Sequence, residues 1–225
     1  MLVAILTVFT IVGAFNADNM EMVQAIVEAA EEERAPVILQ VSETTIGYVG
    51  ITLPVAMVKA VADEVTIPVV LHMDHGKSFE QNVRALRAGF TSLMFDGSSL
   101  PYEENVAITR RIVEMADVAG LPVEAELGKV LQAGASADEV AAAMTDPDQA
   151  ADFVRRTGCT SLAVAVGSIH AMKDRAASLD QARIRAIQER IDLPLVLHGA
   201  SGVRHESVVE AIASGVCKVN VATYL

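Results

Sequence analysis

Four of the five histidines close short apolar runs or sit just beyond one: His72 and His75 in VVLHMDHG, His170 in LAVAVGSIH and His198 in LVLHGASG. Neutral imidazole is the commonest metal ligand, and three imidazoles with an open position make a catalytic zinc pattern. Asp74 directly precedes His75. Neighbouring side chains at a strand end point in different directions, so one of this pair is suited to bind a metal and the other to act as a base. A carboxylate beside a divalent cation stays ionised and takes a substrate proton. The small residues Gly199-Ala200-Ser201-Gly202 let backbone N–H groups approach an anion at the start of a helix. The fifth histidine, His205, falls in a predicted first helical turn and reads as a surface residue.

These side chains act together only if the fold brings them to one place. Short β-branched runs predict strands at Thr10–Phe15, Val37–Val41, Val69–Leu71, Ser92–Phe95, Val123–Leu127, Ser161–Val166, Leu195–Leu197 and Cys217–Val221. Continuous apolar runs of this kind suit strands buried on both faces. Amphipathic stretches between them predict helices at Asn19–Glu33, Leu53–Glu64, Ser78–Ala88, Tyr102–Ala119, Pro147–Arg156, Asp180–Arg190 and Glu206–Ser214. Ser78 and Asp146-Pro147 are start signals, and Gly89, Gly120 and Gly215 are stop signals. Eight βα repeats predict an α/β fold, a (β/α)8 TIM barrel. An open doubly wound sheet is the alternative, but no GxGxxG follows the first strand.

In a barrel the chemistry gathers where strands end. The ends carry Asn16 and Asp18, Gln40 and Ser42, His72 to Gly76, Glu124 and Glu126, Ser168 and His170, His198 to Gly202, and Asn220 with Thr223. The loops after the seventh and eighth strands are the usual phosphate site of this fold.

Composition narrows the class further. The chain has 225 residues, 52% of them hydrophobic, which excludes a disordered protein. A formal charge of −12 with no basic run predicts no nucleic-acid partner and no anionic membrane partner. Two distant cysteines, Cys159 and Cys217, fit small buried hydrophobes in a reducing, cytoplasmic compartment. The apolar start MLVAILTVFTIVGAF is shorter than the ~20 residues of a membrane span and lacks the basic flank of a signal peptide. It reads as a strand with an apolar lead-in, Met1–Val8. One domain over 1–225 is expected. The sequence stops just past the eighth strand, without a stretch for an eighth helix. That predicts poor cover for Val219 and Val221, and therefore a homo-oligomer.

Taken together, the segments PVILQVSE (36–43), LHMDHG (71–76), GFTSLMFDGSSLPYEENV (89–106), VEAELG (123–128), LAVAVGSIH (162–170), LHGASG (197–202) and KVNVAT (218–223) resemble the class II, zinc-dependent ketose-bisphosphate aldolases, in the fructose-bisphosphate and tagatose-bisphosphate branch. The resemblance implies that Asp74 is the catalytic acid/base and that His75, His170 and His198 bind Zn2+. Glu126 would be an acid serving an alternative metal position. Gly199, Ala200, Ser201, Asn220, Val221, Ala222 and Thr223 would bind dihydroxyacetone phosphate, with Asn16 and Ser42 on the substrate side. A monovalent cation is a second implied cofactor, and a phosphorylated sugar is the implied partner. The implied reaction is reversible cleavage of a ketose 1,6-bisphosphate to dihydroxyacetone phosphate and glyceraldehyde 3-phosphate. Zinc would polarise the ketone and stabilise an enediolate, Asp74 would take the carbon 4 hydroxyl proton, and a residue within 129–136 would return a proton. The chain departs from the family at Ala171, where a Gly is usual, and at Tyr224, where an acid is usual. Relative to the family, it is shortened at both ends. Two other readings are a Schiff-base aldolase using Lys218 and a non-catalytic metal/phosphate-binding or scaffold subunit.

Overall fold

In the computed structural model, residues 11–172 and 174–225 are described; the lead-in Met1–Val8 lies outside them. Eight strands form one sheet: β1 (Val12–Asn16), β2 (Val37–Ser42), β3 (Val69–Asp74), β4 (Leu93–Phe95), β5 (Val123–Leu127), β6 (Ser161–Val164), β7 (Leu195–Leu197) and β8 (Val216–Val221). Every described pairing is parallel, and each strand lies beside its neighbours in sequence, with β8 returning to pair with β1. Between β3 and β4 the ring closes through a bridge from His72 to Ser92 and the bond from Met73 N–H to Ser92 O at 3.0 Å. The chain is a TIM barrel. An open doubly wound sheet would instead reverse its strand order and leave two edges.

Strand parity decides what faces the barrel interior. On β3 the residues Val70, His72 and Asp74 alternate with Leu71 and Met73, which join the large core under the helices. Ala14, Ile38 and Val70 form one inner apolar cluster with Val12, and Met94, Ala163 and Val196 form another. These clusters fill the N-terminal part of the barrel. The next inward positions toward the C-terminal end are polar: Gln40, His72, Glu124, His198, Lys218 and Asn220, all buried. A continuous apolar run interrupted every second residue by a polar one therefore encodes a strand with a polar inner face.

Nine α-helices occur among the described residues: α1 (Met20–Glu32), α2 (Glu43–Val49), α3 (Thr52–Ala62), α4 (Phe79–Ala88), α5 (Tyr102–Val118), α6 (Ala137–Ala143), α7 (Pro147–Thr157), α8 (Gln181–Gln188) and α9 (His205–Ala213). The expected caps are present. Ser78 accepts from Gln81 N–H and Asp146 from Gln149 N–H, while Gly89, Gly120 and Gly215 take positive φ values just after helix ends. Helices α2 and α6 are additions to the seven expected. The first contains two threonines and a glycine, and the second buries none of its residues, so neither carries an amphipathic stripe. Both are held by their starts: Ser42 caps α2, and Ser136 with Glu139 forms a capping box on α6.

The expected lack of cover on β8 is corrected in part. Val219 is 9% exposed and belongs to the main core, and Val221 is half-buried against it. No single helix among the described residues is long and apolar enough to cross a membrane.

Candidate active site

The C-terminal mouth of the barrel holds a cavity of about 130 Å3. Of the residues selected from sequence, Asn16, Asp74, His75, His170 and His198 line it. So do Gly199, Ser201, Asn220, Ala222 and Thr223. Gln40 and Ala171 complete the lining, while Ser42, Glu126, Ala200 and Val221 do not reach it.

The three imidazoles of His75, His170 and His198 offer nitrogens that all lie within 4.8 Å of one another. His198 Nδ1 faces His75 Nε2 at 3.0 Å. Two of these rings are braced from behind. His75 Nδ1 lies 2.8 Å from Asp96 Oδ2, and His198 Nε2 lies 2.8 Å from Glu124 Oε1. With the ring protons assigned to the carboxylate sides, the two opposed nitrogens present lone pairs to one point. Carboxylates behind ligating histidines are the usual second layer of a metal site. The donor set therefore fits a divalent transition metal.

Asp74 and His75 both line the cavity although they are neighbours. Parity turns Asp74 inward from β3, and a φ of 50° at His75 ends the strand and brings the next ring to the same space. His170 is delivered differently. The two-residue ladder of Leu131–Gln132 with Ile169–His170 holds it, and Ala133 N–H donates to His170 O at 3.0 Å. Residues 129–136, expected to supply a proton donor, line no part of the cavity; their shown role is this support of His170. Ala171 follows with φ 58°, a strained conformation for a residue with a Cβ.

Charges within the site are strongly coupled. Burial opposes ionisation of Asp74, but the neighbouring His75, His198 and Lys218 and a bond from Asn16 Nδ2 at 3.0 Å hold its carboxyl below the usual range. Burial depresses His75, but the Asp96 hydrogen bond and the charges of Asp74 and Glu126 outweigh it and raise it to about 9. A metal entering the site displaces that proton. His170 goes the other way, to about 4, through burial and its two histidine neighbours, so it is neutral. Asp74 Oδ1, Gln40 Oε1 and Asn220 Oδ1 are buried without a hydrogen-bond partner. Gln40 also donates to Asn16 Oδ1 at 3.1 Å, which orients the amide that binds Asp74.

Other selected residues lie outside the cavity. Glu126 is not grouped with the three imidazoles; it lies 3.8 Å from His75 Nδ1, on the Asp96 side of that ring. His75, Asp96 and Glu126 form a second possible ligand group. Burial and the Asp96 charge raise the Glu126 carboxyl. Ser42 is occupied as the cap of α2, accepting from Thr45 N–H at 3.1 Å. The glycine loop does not run straight into a helix. A single 3-10 turn, Ala200–Gly202, intervenes before α9, and a Cβ at Gly199 would meet Ile169 O at 2.8 Å. Asp96 closes β4, and the strand-end rule applied to that strand would have found it. Lys218 is buried against Glu124 at 2.6 Å and does not reach the cavity, which opposes a Schiff-base role.

A family model described as class-II fructose-bisphosphate aldolase matches residues 7–225. The chain belongs to this family. It is a class II aldolase, a carbon–carbon lyase. It is 46% identical over 218 residues to a probable fructose-bisphosphate aldolase of Bacillus subtilis, covering 94% of this chain and 75% of that one. It is 44% identical to the fructose-bisphosphate aldolase of Geobacillus stearothermophilus with the same coverage. Among solved structures, the YdjI aldolase of Escherichia coli K12 superposes with a TM-score of 0.86 at 37% identity, covering 96% of this aldolase and 77% of that chain. The Campylobacter jejuni fructose-bisphosphate aldolase shares the fold, with a TM-score of 0.79 at 23% identity.

Proposed function

We propose that this aldolase is zinc-dependent and reversibly cleaves a ketose 1,6-bisphosphate, fructose or tagatose, to dihydroxyacetone phosphate and glyceraldehyde 3-phosphate. The observation that carries the reading is the meeting of three imidazoles and the unpartnered oxygen of Asp74 in one cavity at the barrel mouth. His75, His170 and His198 would hold the ion, and Glu126 with Asp96 would offer an alternative position. A bound ion would supply Lewis-acid chemistry there, polarising the substrate ketone and offsetting the negative charge that cleavage leaves beside it.

The remaining steps belong to this chain's own side chains. Asp74, kept ionised and short of one hydrogen-bond donor, takes the carbon 4 hydroxyl proton during cleavage and returns it in condensation. Asn16, oriented by Gln40, fixes the other Asp74 oxygen at 3.0 Å, so the basic oxygen points into the cavity. Gly199 and Ser201, with Asn220, Ala222 and Thr223, hold the phosphate of the three-carbon half and orient it for reaction. Gly199, with φ 66° and packed closely against Ile169 O, sets the path of this loop along the cavity edge. A monovalent cation is the second cofactor of this proposal. A cytoplasmic site of action and self-association complete the proposal, with no nucleic-acid or membrane partner.

Metal analysis combined with a cleavage assay on both bisphosphates, before and after chelation, tests this reading. Stoichiometric zinc and chelator-sensitive cleavage support it. A metal-bearing protein inactive on both substrates would instead support the non-catalytic binding subunit.

A further inference from the structure

We infer that Glu124, clamped by Lys218, positions His198 by fixing which ring nitrogen faces the cavity. This rests on the metal reading above. Glu124 on β5, Lys218 on β8 and His72 on β3 lie in the barrel interior beneath the cavity, and none of them lines it. All three are buried, Lys218 at 1% exposure. Charged groups persist at such depth only when paired and hydrogen-bonded.

Each of the three is paired, and Asn220 Nδ2 also lies 3.1 Å from His198 Nε2. Glu124 Oε1 accepts from His198 Nε2 at 2.8 Å, and Oε2 accepts from Lys218 Nζ at 2.6 Å. Lys218 Nζ also donates to His72 Nε2 at 3.1 Å, and His72 Nδ1 donates to Ser92 Oγ at 2.8 Å. This explains the fourth strand-end histidine: it gives the Lys218 ammonium a second acceptor.

A neutral imidazole carries one ring proton. A carboxylate oxygen behind Nε2 holds that proton there and leaves the Nδ1 lone pair directed at the cavity, where it faces His75 Nε2. Without that acceptor, the ring is free to turn over or to change tautomer and aim an N–H at the metal. Lys218 matters because it engages the second oxygen and stops the carboxylate from rotating away. A glutamine at 124 would have one oxygen for two donors.

The test measures Co2+ affinity of the folded, metal-free protein by titration against a competing chelator, with circular dichroism confirming the fold. Glu124→Gln is expected to weaken binding about 10–100-fold. The double variant Glu124→Gln/Lys218→Met is expected to recover most of that loss, because the single amide oxygen then serves His198 alone. A purely structural role would not return affinity when a second buried group is removed. Parent-like binding by Glu124→Gln, or a double variant no tighter than Glu124→Gln, overturns the inference. Failure of the parent protein to bind Co2+ overturns the metal reading itself, while tight parent binding untouched by Glu124→Gln overturns only this step. Should the variants not fold, imidazole 15N spectra of the zinc-loaded parent decide. One bound ring protonated at Nε2 is expected, and protons at Nδ1 on every bound ring would sink the idea.

Discussion

Two polar layers lie one above the other inside the barrel, and they differ in completeness. In the lower layer, His72, Glu124 and Lys218 all have partners. In the upper layer, oxygens of Asp74, Gln40 and Asn220 are buried with none. Leaving a buried polar group unpaired costs about 1–3 kcal/mol, so three such atoms around one cavity are retained where a ligand completes them. The contrast separates work done on a substrate from work done on the side chains that meet it. The upper layer reacts, and the lower one holds the upper in place.

The sharpest way to break this contrast is to remove the metal. Chelation is expected to abolish cleavage, and zinc or cobalt is expected to restore it, read in a coupled assay for triose phosphate. Activity that survives chelation and is trapped on a lysine by borohydride would make Lys218 the reacting group and reverse the roles of the two layers. Next in size is Asp74→Ala. It should retain the metal and lose roughly 10²–10⁴-fold in rate, the range for general acid/base removal. Metal analysis beside the kinetics separates a base from a ligand. If the variant comes out metal-free with normal turnover per remaining ion, Asp74 is a ligand.

Lys218→Met probes the lower layer through folding. It leaves Glu124 buried without its countercharge, and loss of one partner of a buried pair costs about 3–5 kcal/mol. Urea unfolding of the metal-free protein should show that loss. An unchanged midpoint would mean that the lower layer is not held as a paired unit. The smallest expected effect is at the rim. Ala171→Gly releases a φ of 58° and should raise stability by about 1 kcal/mol. If the midpoint instead falls, the Cβ of Ala171 contributes packing that outweighs the strain.

Much of the fold was legible because each strand is a local event. Runs such as Val69–Leu71 and Leu195–Leu197 are apolar over their length, and the helices between them carry a stripe and a cap. Helices α2 and α6 were not legible, because their stability comes from caps at Ser42 and Ser136 rather than from a buried face. The site was legible as a set of polar strand ends, including all three clustered imidazoles. Its internal division was not. His72 and His198 both follow apolar strand runs, yet one braces a lysine and the other faces the cavity. Ser42 reads as a substrate contact and acts as a cap, while Asp96 and Glu124 acquire their roles only through histidines from other strands.

Residue types and their period along the chain thus determined the barrel, the rim on which chemistry gathers and the chemical kinds available there. Which nitrogen faces which carboxylate depends on partners 21 and 74 residues apart in sequence. Those distances are set only when the sheet closes between β3 and β4 and places the inward side chains of all eight strands around one axis. Parity along a strand is a property of the sequence, but depth in the barrel depends on the register between strands, and that register decides whether a histidine meets a metal or a lysine.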